Sequence, residues 1–359
     1  MRLTRKPSTR YWPLLCKHHR GSTSPDQHWL WCASGRGGIE LACSAANLRE
    51  GQTVLLPEYI CDVVLHPLQR LKLKAAWYSL NTDLTPNWQS LEAQLPGVQA
   101  ALLMHPFGQP QDAPRFAACC KKAGVLFIED NAHGYGAAIN GQPLGTFGDM
   151  GVASPWKQYA VPHGAAVWFQ NQQIANKAKN LCANWPVAPV SIAKSWCKSR
   201  LRDVLTLVST LRRAIIPPPA ADMDDPDQPQ PPCLAHPAVL AVLSGVQPVR
   251  DAARRRAIYA EWQTFAAGKE LTPVFSSLHP EAAPLCFAAY AADITTRQRW
   301  LRWGWQHDIA VHTWPTLPEQ LRNRPQAADR WQRLLCFPIH QEMDPSLLRA
   351  MLDSLPPPC

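Results

Sequence analysis

From about residue 30 to residue 170, short apolar runs alternate with segments of helical period. SGRGGIELACSAANL (34–48) reads as a glycine turn entering a helix, TVLLP (53–57) as a strand, and YICDVVLHPLQRL (59–71) as a helix disturbed by Pro67. The pattern continues with a strand at 73–80, a helix at 87–95, a buried strand at 98–105 and a helix at 112–124 closed by Gly124. VLFIED (125–130) is a further buried strand, and MGVAS (150–154) and AAVWF (165–169) are two more. Alternation of this kind predicts crossover units and a mostly parallel sheet covered on both faces. Ligands of such sheets bind at the carboxyl ends of the strands.

Beyond residue 170 the period becomes helical over 171–185 and 192–216. PPPAADMDDPDQPQPPC (217–233) has no period and reads as a connector. A helix is predicted over 236–265, a strand over 285–293, a helix over 296–308, strands over 309–315 and 334–340, and a closing helix over 344–355 with Asp344 as its cap. The expected organisation is an irregular arm (1–29), a large α/β domain (30–216), a Pro/Asp-rich linker or insertion (217–235) and a smaller C-terminal α+β domain (236–359).

Composition narrows the function classes. With 46% hydrophobic and 18% charged residues among 359, the chain can bury a sizeable core and is not a charged disordered segment. The net charge of +9 suits an anionic partner. The basic residues are scattered, however, and no finger spacing or aromatic-interleaved basic motif points to nucleic acid. The twelve cysteines form no CxxC pair and no Cys/His cluster, so they read as small hydrophobes or free thiols of a reducing compartment. The Asp-rich stretch lacks the glycine and closing glutamate of a calcium loop, so no metal is expected. No run approaches the roughly 20 apolar residues of a membrane span. The basic N-terminus has no long apolar core of a secretory signal. A cytoplasmic protein without membrane or nucleic-acid partners is the expectation.

Four places carry candidate chemistry. SGRGG (34–38) precedes a helix, where backbone N–H groups make an anion site that glycine lets an anion approach. Asp130 ends a buried strand and could hold a protonated ring nitrogen; the alternative is a turn cap. His133 could hydrogen-bond a phenolic oxygen or lie against a ring. Lys157 follows a short strand, a setting in which a lysine can lose its proton and form an imine, and Ser154 could bind a phosphate oxygen. Lys157 follows Asp130 by 27 residues, enough for one excursion across a sheet. Together these are the parts needed to engage the phosphate, ring nitrogen, phenolic oxygen and aldehyde of pyridoxal phosphate. Glu129, facing the other side of its strand, reads as a bystander that Gln should replace without loss.

These stretches resemble the DegT/DnrJ/EryC1/StrS sugar aminotransferase family of fold-type-I pyridoxal-phosphate enzymes. The resemblance runs through SGRGGIELA (34–42), EGQTVLLPEYICDVV (50–64), LLMHPFGQP (102–110), VLFIEDNAHGYGAAINGQPLGTFGDMG (125–151), SPWKQYAVPHGAAV (154–167) and WLRWGWQHDIAVHTWP (300–315). It implies an aspartate-aminotransferase-like fold and a homodimer. It also implies pyridoxal 5'-phosphate held by Asp130 at the ring nitrogen, His133 beside the ring, Lys157 as the catalytic lysine, and Ser154 with the backbone of Gly35 and Arg36 at the phosphate. Tyr59 would lie in the segment that supplies a stacking aromatic. Departures mark a divergent branch. Ser154 stands three residues before the lysine rather than five. His163 replaces a glycine, and SGVQPVR (244–250) stands where the family has a partner-subunit segment. The implied function is transfer of an amino group from a donor, commonly glutamate, to a keto acceptor such as a nucleotide-linked keto sugar. The alternatives are a dehydratase or lyase on the same cofactor, or a non-catalytic binding or regulatory protein.

Overall fold

A computed structural model of the chain describes residues 3–7, 29–190, 230–314, 316–356 and 358. The helix predicted at 192–216 and most of the connector lie outside these residues. The strands are β1 Trp29–Cys32, β2 Thr53–Pro57, β3 Lys74–Tyr78, β4 Ala100–Met104, β5 Leu126–Asn131, β6 Ala138–Ile139, β7 Gln142–Pro143, β8 Met150–Ala153, β9 Ala165–Phe169, β10 Leu271–Pro273, β11 Cys286–Ala291 and β12 Leu334–Pro338. The helices are α1 Gly35–Ala45, α2 Leu65–Arg70, α3 Trp88–Gln94, α4 Ala113–Ala123, α5 Gln172–Cys182, α6 Pro237–Leu243, α7 Pro248–Ala266, α8 Ile294–Gln306, α9 Glu319–Arg322, α10 Pro325–Arg333 and α11 Pro345–Asp353.

The main sheet runs in the order β1-β9-β8-β5-β4-β2-β3. Its centre is parallel, β2 with β3 and β4, β4 with β5, and β5 with β8. β9 pairs antiparallel with both β8 and β1. A smaller antiparallel sheet has the order β10-β11-β12. The fold is α/β, with a mostly parallel central sheet covered by helices. Side chains alternate across the main sheet: Leu103 and Phe127 enter one apolar cluster, Leu102 and Ile128 the cluster beneath α1. Asp130 therefore falls on the α1 side and Glu129 on the other.

Several boundaries follow from local chemistry. Asp112 caps α4 by accepting from the Arg115 N–H, and Gly124 ends it in the left-handed region at φ 67°. Residues 59–71 form a 3₁₀ turn and then α2, with Pro67 in the first helical turn, where no hydrogen bond is lost. The helix predicted over 236–265 breaks between Leu243 and Pro248, because Pro248 forces Gln247 to φ −120°, ψ 78°. Of the strand predicted over 309–315, the described residues 309–314 form none. Ile309 and His312 make single bridges to Leu3 and Cys336, and Pro315 and Pro318, which cannot donate to a ladder, follow. β1, at the end of the predicted arm, is an additional strand on the sheet edge. Leu234, from the end of the predicted connector, bridges Cys32 beside it. Among the described residues no helix is long and apolar enough to cross a membrane.

Candidate active site

A cavity of about 430 Å³ opens at the carboxyl ends of β1, β4, β5 and β8, against the start of α1. Gly35, Arg36, Tyr59, Asp130, His133, Ser154 and Lys157 all line it, so the seven residues singled out from sequence are brought together.

At one end, Ser34 caps α1 by accepting from the Gly37 N–H at 3.2 Å. Gly35 begins the helix so close to Ser154 that an added Cβ would lie 2.7 Å from the Ser154 oxygen. That hydroxyl is buried and has no hydrogen-bond partner among the described residues. A buried orphan oxygen beside a helix N-terminus is a polar cradle that still needs a ligand.

In the middle stands Asp130, 5% exposed. One of its oxygens accepts the Ala132 N–H at 2.8 Å. Burial pushes its carboxyl up, and Lys157 is the first of the groups that oppose this. Lys157 ends a 3₁₀ turn, Pro155–Lys157, directly after β8. Burial lowers its ammonium, and the Asp130 carboxylate counters that. Its Nζ lies 5.0 Å from the centre of the Trp314 ring.

His133 is 5% exposed and held neutral, first by burial and then by Lys157. Its Nδ1 accepts the Phe107 N–H at 3.1 Å, so Nε2 carries the proton. Its ring stacks on Phe107 at 5.8 Å and meets Trp314 edge-on at 5.3 Å. The Gln158 amide bonds the carbonyls of His133 and Ala283 at 3.0 and 2.9 Å and ties the turn in place. Tyr59 lines the wall, but its hydroxyl donates to the Trp314 carbonyl at 2.7 Å, fixing the ring against a segment 255 residues away.

Glu129 departs from the expectation of a bystander. It is fully buried and accepts the N–H groups of Gly145, Phe147 and Gly148 at 2.6, 2.7 and 3.2 Å. It also pairs with the buried His105 at 3.0 Å, whose other nitrogen accepts the Gln111 N–H. The strand does send it to the opposite face, yet that face is interior, and a carboxylate there binds the 145–148 turn.

Phe107, Trp314 and Gln158 were not singled out from sequence. The only local signal was the HPFG run (105–108), where Phe107 adopts φ 51° and Gly108 packs so tightly that a Cβ would meet the Ala283 oxygen at 2.1 Å. Trp314 and Gln158 carry no such signal.

Comparison with known proteins gives a family likeness for part of the chain and a fold likeness for nearly all of it. Residues 22–187 match the DegT/DnrJ/EryC1/StrS aminotransferase family. The matched stretch is a little under half of the chain. Among its relatives, a UDP-N-acetyl-3-dehydro-alpha-D-glucosamine 3-aminotransferase of Acidithiobacillus ferrooxidans is 30% identical over 159 residues, 43% of each chain. A dTDP-4-dehydro-2,3,6-trideoxy-D-glucose 4-aminotransferase of Saccharopolyspora spinosa is 25% identical over 207 residues, 55% of this chain and 53% of that one. The chain thus matches about half the length of these relatives. The likeness in fold is wider. Helicobacter pylori PseC, an aminotransferase involved in the biosynthesis of pseudoaminic acid, superposes with a TM-score of 0.72 over 99% of this chain and 98% of its own, at 11% identity.

Proposed function

We propose that this chain is a pyridoxal-phosphate-dependent aminotransferase, moving an amino group from an amino-acid donor to a keto acceptor. The observation that carries the reading is one cavity holding a buried carboxylate, a lysine and an orphan hydroxyl at a helix N-terminus. The cavity suits a group with a basic ring nitrogen at one end and a phosphate at the other. When bound, the cofactor supplies an electron-poor ring that takes up the electron pair of a broken C–H bond.

The chain's own residues do the rest. The second Asp130 oxygen accepts the ring-nitrogen proton and keeps it there. Ser154 and the first N–H groups of α1 hold the phosphate, aided by the helix dipole. His133 donates from Nε2, while Phe107 and Trp314 hold its ring still. Lys157, its ammonium lowered by burial, takes the proton from the donor's α-carbon through Nζ and delivers one to the acceptor's carbonyl carbon. A nucleotide-linked keto sugar is the acceptor class we favour. The support is the named activity of the relatives and the excess of basic residues.

Purified protein incubated with pyridoxal phosphate is expected to gain a visible absorbance band and lose it on addition of glutamate. Lys157→Ala is expected to show neither change. A wild-type protein that stays colourless after soaking would overturn the assignment.

A further inference from the structure

Lys157 has a second cavity on its other side. This space of about 260 Å³ shares Phe107, Trp156, Lys157 and Trp314 with the first and is otherwise walled partly by Arg5, Lys6 and His312. No Asp or Glu side chain lines it among the described residues.

The two cations are put there by the N-terminal segment. Leu3 is buried in the core of the smaller sheet and is pinned by backbone bonds, donating to the Asp308 carbonyl at 3.0 Å and accepting from Ala310 at 2.9 Å. Two residues on, Arg5 makes no hydrogen bond or ion pair among the described residues and keeps accessible surface. Lys6 donates to the Trp156 carbonyl at 2.8 Å and lies 4.0 Å from the centre of the Trp156 ring. Among the described residues that leaves two of its three N–H bonds without an acceptor. Burial, then Lys157, then Arg5 push its ammonium down to about 8. Arg5 and Lys6 are like charges set side by side, no carboxylate lines this cavity among the described residues, and a bound anion relieves their repulsion.

We propose that this cavity is a carboxylate subsite, in which Arg5 and Lys6 hold the amino-acid donor by its carboxylate beside Lys157. The inference rests on the aminotransferase reading for the identity of the donor, but not for the binding itself. Size favours an amino acid over a nucleotide-linked sugar. The space is smaller than the roughly 300–1,000 Å³ that drug-sized ligands take. Guanidinium and ammonium donors match a carboxylate through charge-assisted bonds.

Glutarate, a dicarboxylate without an amino group, is the probe. Calorimetric titration into the full-length protein, with and without pyridoxal phosphate, is expected to show binding in both cases. Arg5→Gln and Lys6→Gln should each weaken it by about tenfold to a hundredfold, the effect of one charge-assisted bond. Arg5→Lys should keep most of it. In the loaded protein, the glutamate concentration that half-saturates loss of the visible band should rise by a similar factor, with cofactor affinity and the position of the band unchanged. No glutarate binding to the wild type, or equal binding by both Gln variants, overturns the subsite. So does displacement of glutarate by UDP or inorganic phosphate at lower concentration. Failure of the cofactor to bind overturns the aminotransferase reading instead, and the glutarate titration still decides the subsite.

Discussion

Asp130 and Glu129 are adjacent carboxylates on one strand, and their surroundings give them different work. Asp130 lines the cavity with one oxygen bonded to the Ala132 N–H, and the charge of Lys157 favours its ionised form against burial. Asp130→Asn keeps the shape and the Ala132 bond but loses the charge. It is expected to slow the glutamate half-reaction by about a hundredfold or more, with little change in melting temperature. Glu129→Gln has the reverse signature. Its amide NH₂ would face N–H donors from Gly145, Phe147 and Gly148, at a cost of about 1–3 kcal/mol. A clear fall in denaturation midpoint is therefore expected, and an unchanged midpoint would show that the turn does not depend on the carboxylate. Asp130's position was legible from the apolar run that it ends. The burial of Glu129 was not, because alternation gives the side of the sheet and not what covers that side.

At the scale of elements, the phosphate end depends on how closely α1 lies on the sheet. A Cβ at Gly38 would stand 2.8 Å from a Val167 methyl and 3.2 Å from one of Val152. Gly38→Ala must push the helix away from β8 and β9, costing about 1–3 kcal/mol. Because Gly35 rides on the same helix, pyridoxal phosphate affinity should fall with stability, as a titration of the visible band alongside thermal unfolding would show. If stability fell while affinity held, the cradle would not depend on α1. The glycines of 34–38 were legible as a helix start, whereas the packing behind Gly38 was not. The core strands were likewise readable because each is a short apolar run. The segment 309–315 misled, because its apolar residues bridge one at a time and ladder pairing depends on partners elsewhere in the chain.

At the scale of the whole molecule, the two sheets are joined by a few buried polar ties. Arg330 of α10 bonds Glu58 at 3.0 Å and the Leu80 carbonyl at 2.6 Å. Arg255 of α7 reaches the carbonyls of Gln158, Pro284 and Ile339 at 2.9, 3.0 and 3.2 Å. Three histidines near this junction, His133, His312 and His340, are held neutral chiefly by burial, His340 being pushed down to about 4. In the unfolded chain they protonate near pH 6.5. Their contribution is whole above that pH and is lost as pH falls toward each folded value. The slope approaches about 1.4 kcal/mol per pH unit for each histidine. Urea midpoints of the cofactor-free protein at pH 7.5, 6 and 5 should fall steadily. A flat series, or replacement of His340 by Gln without effect on it, would count against this.

The sequence by itself determined the alternation of strands and helices between residues 34 and 169, the parallel sheet and the strand ends that carry Asp130 and Lys157, because these depend on periodicity within a dozen residues. Tertiary structure alone decided what surrounds them. Tyr59 meets Trp314 across 255 positions and Lys6 meets Trp156 across 150. Contacts of that separation leave no local period. They arise only when the sheet has closed and the N-terminal segment has settled against it, and they give the lysine its second, cationic neighbourhood.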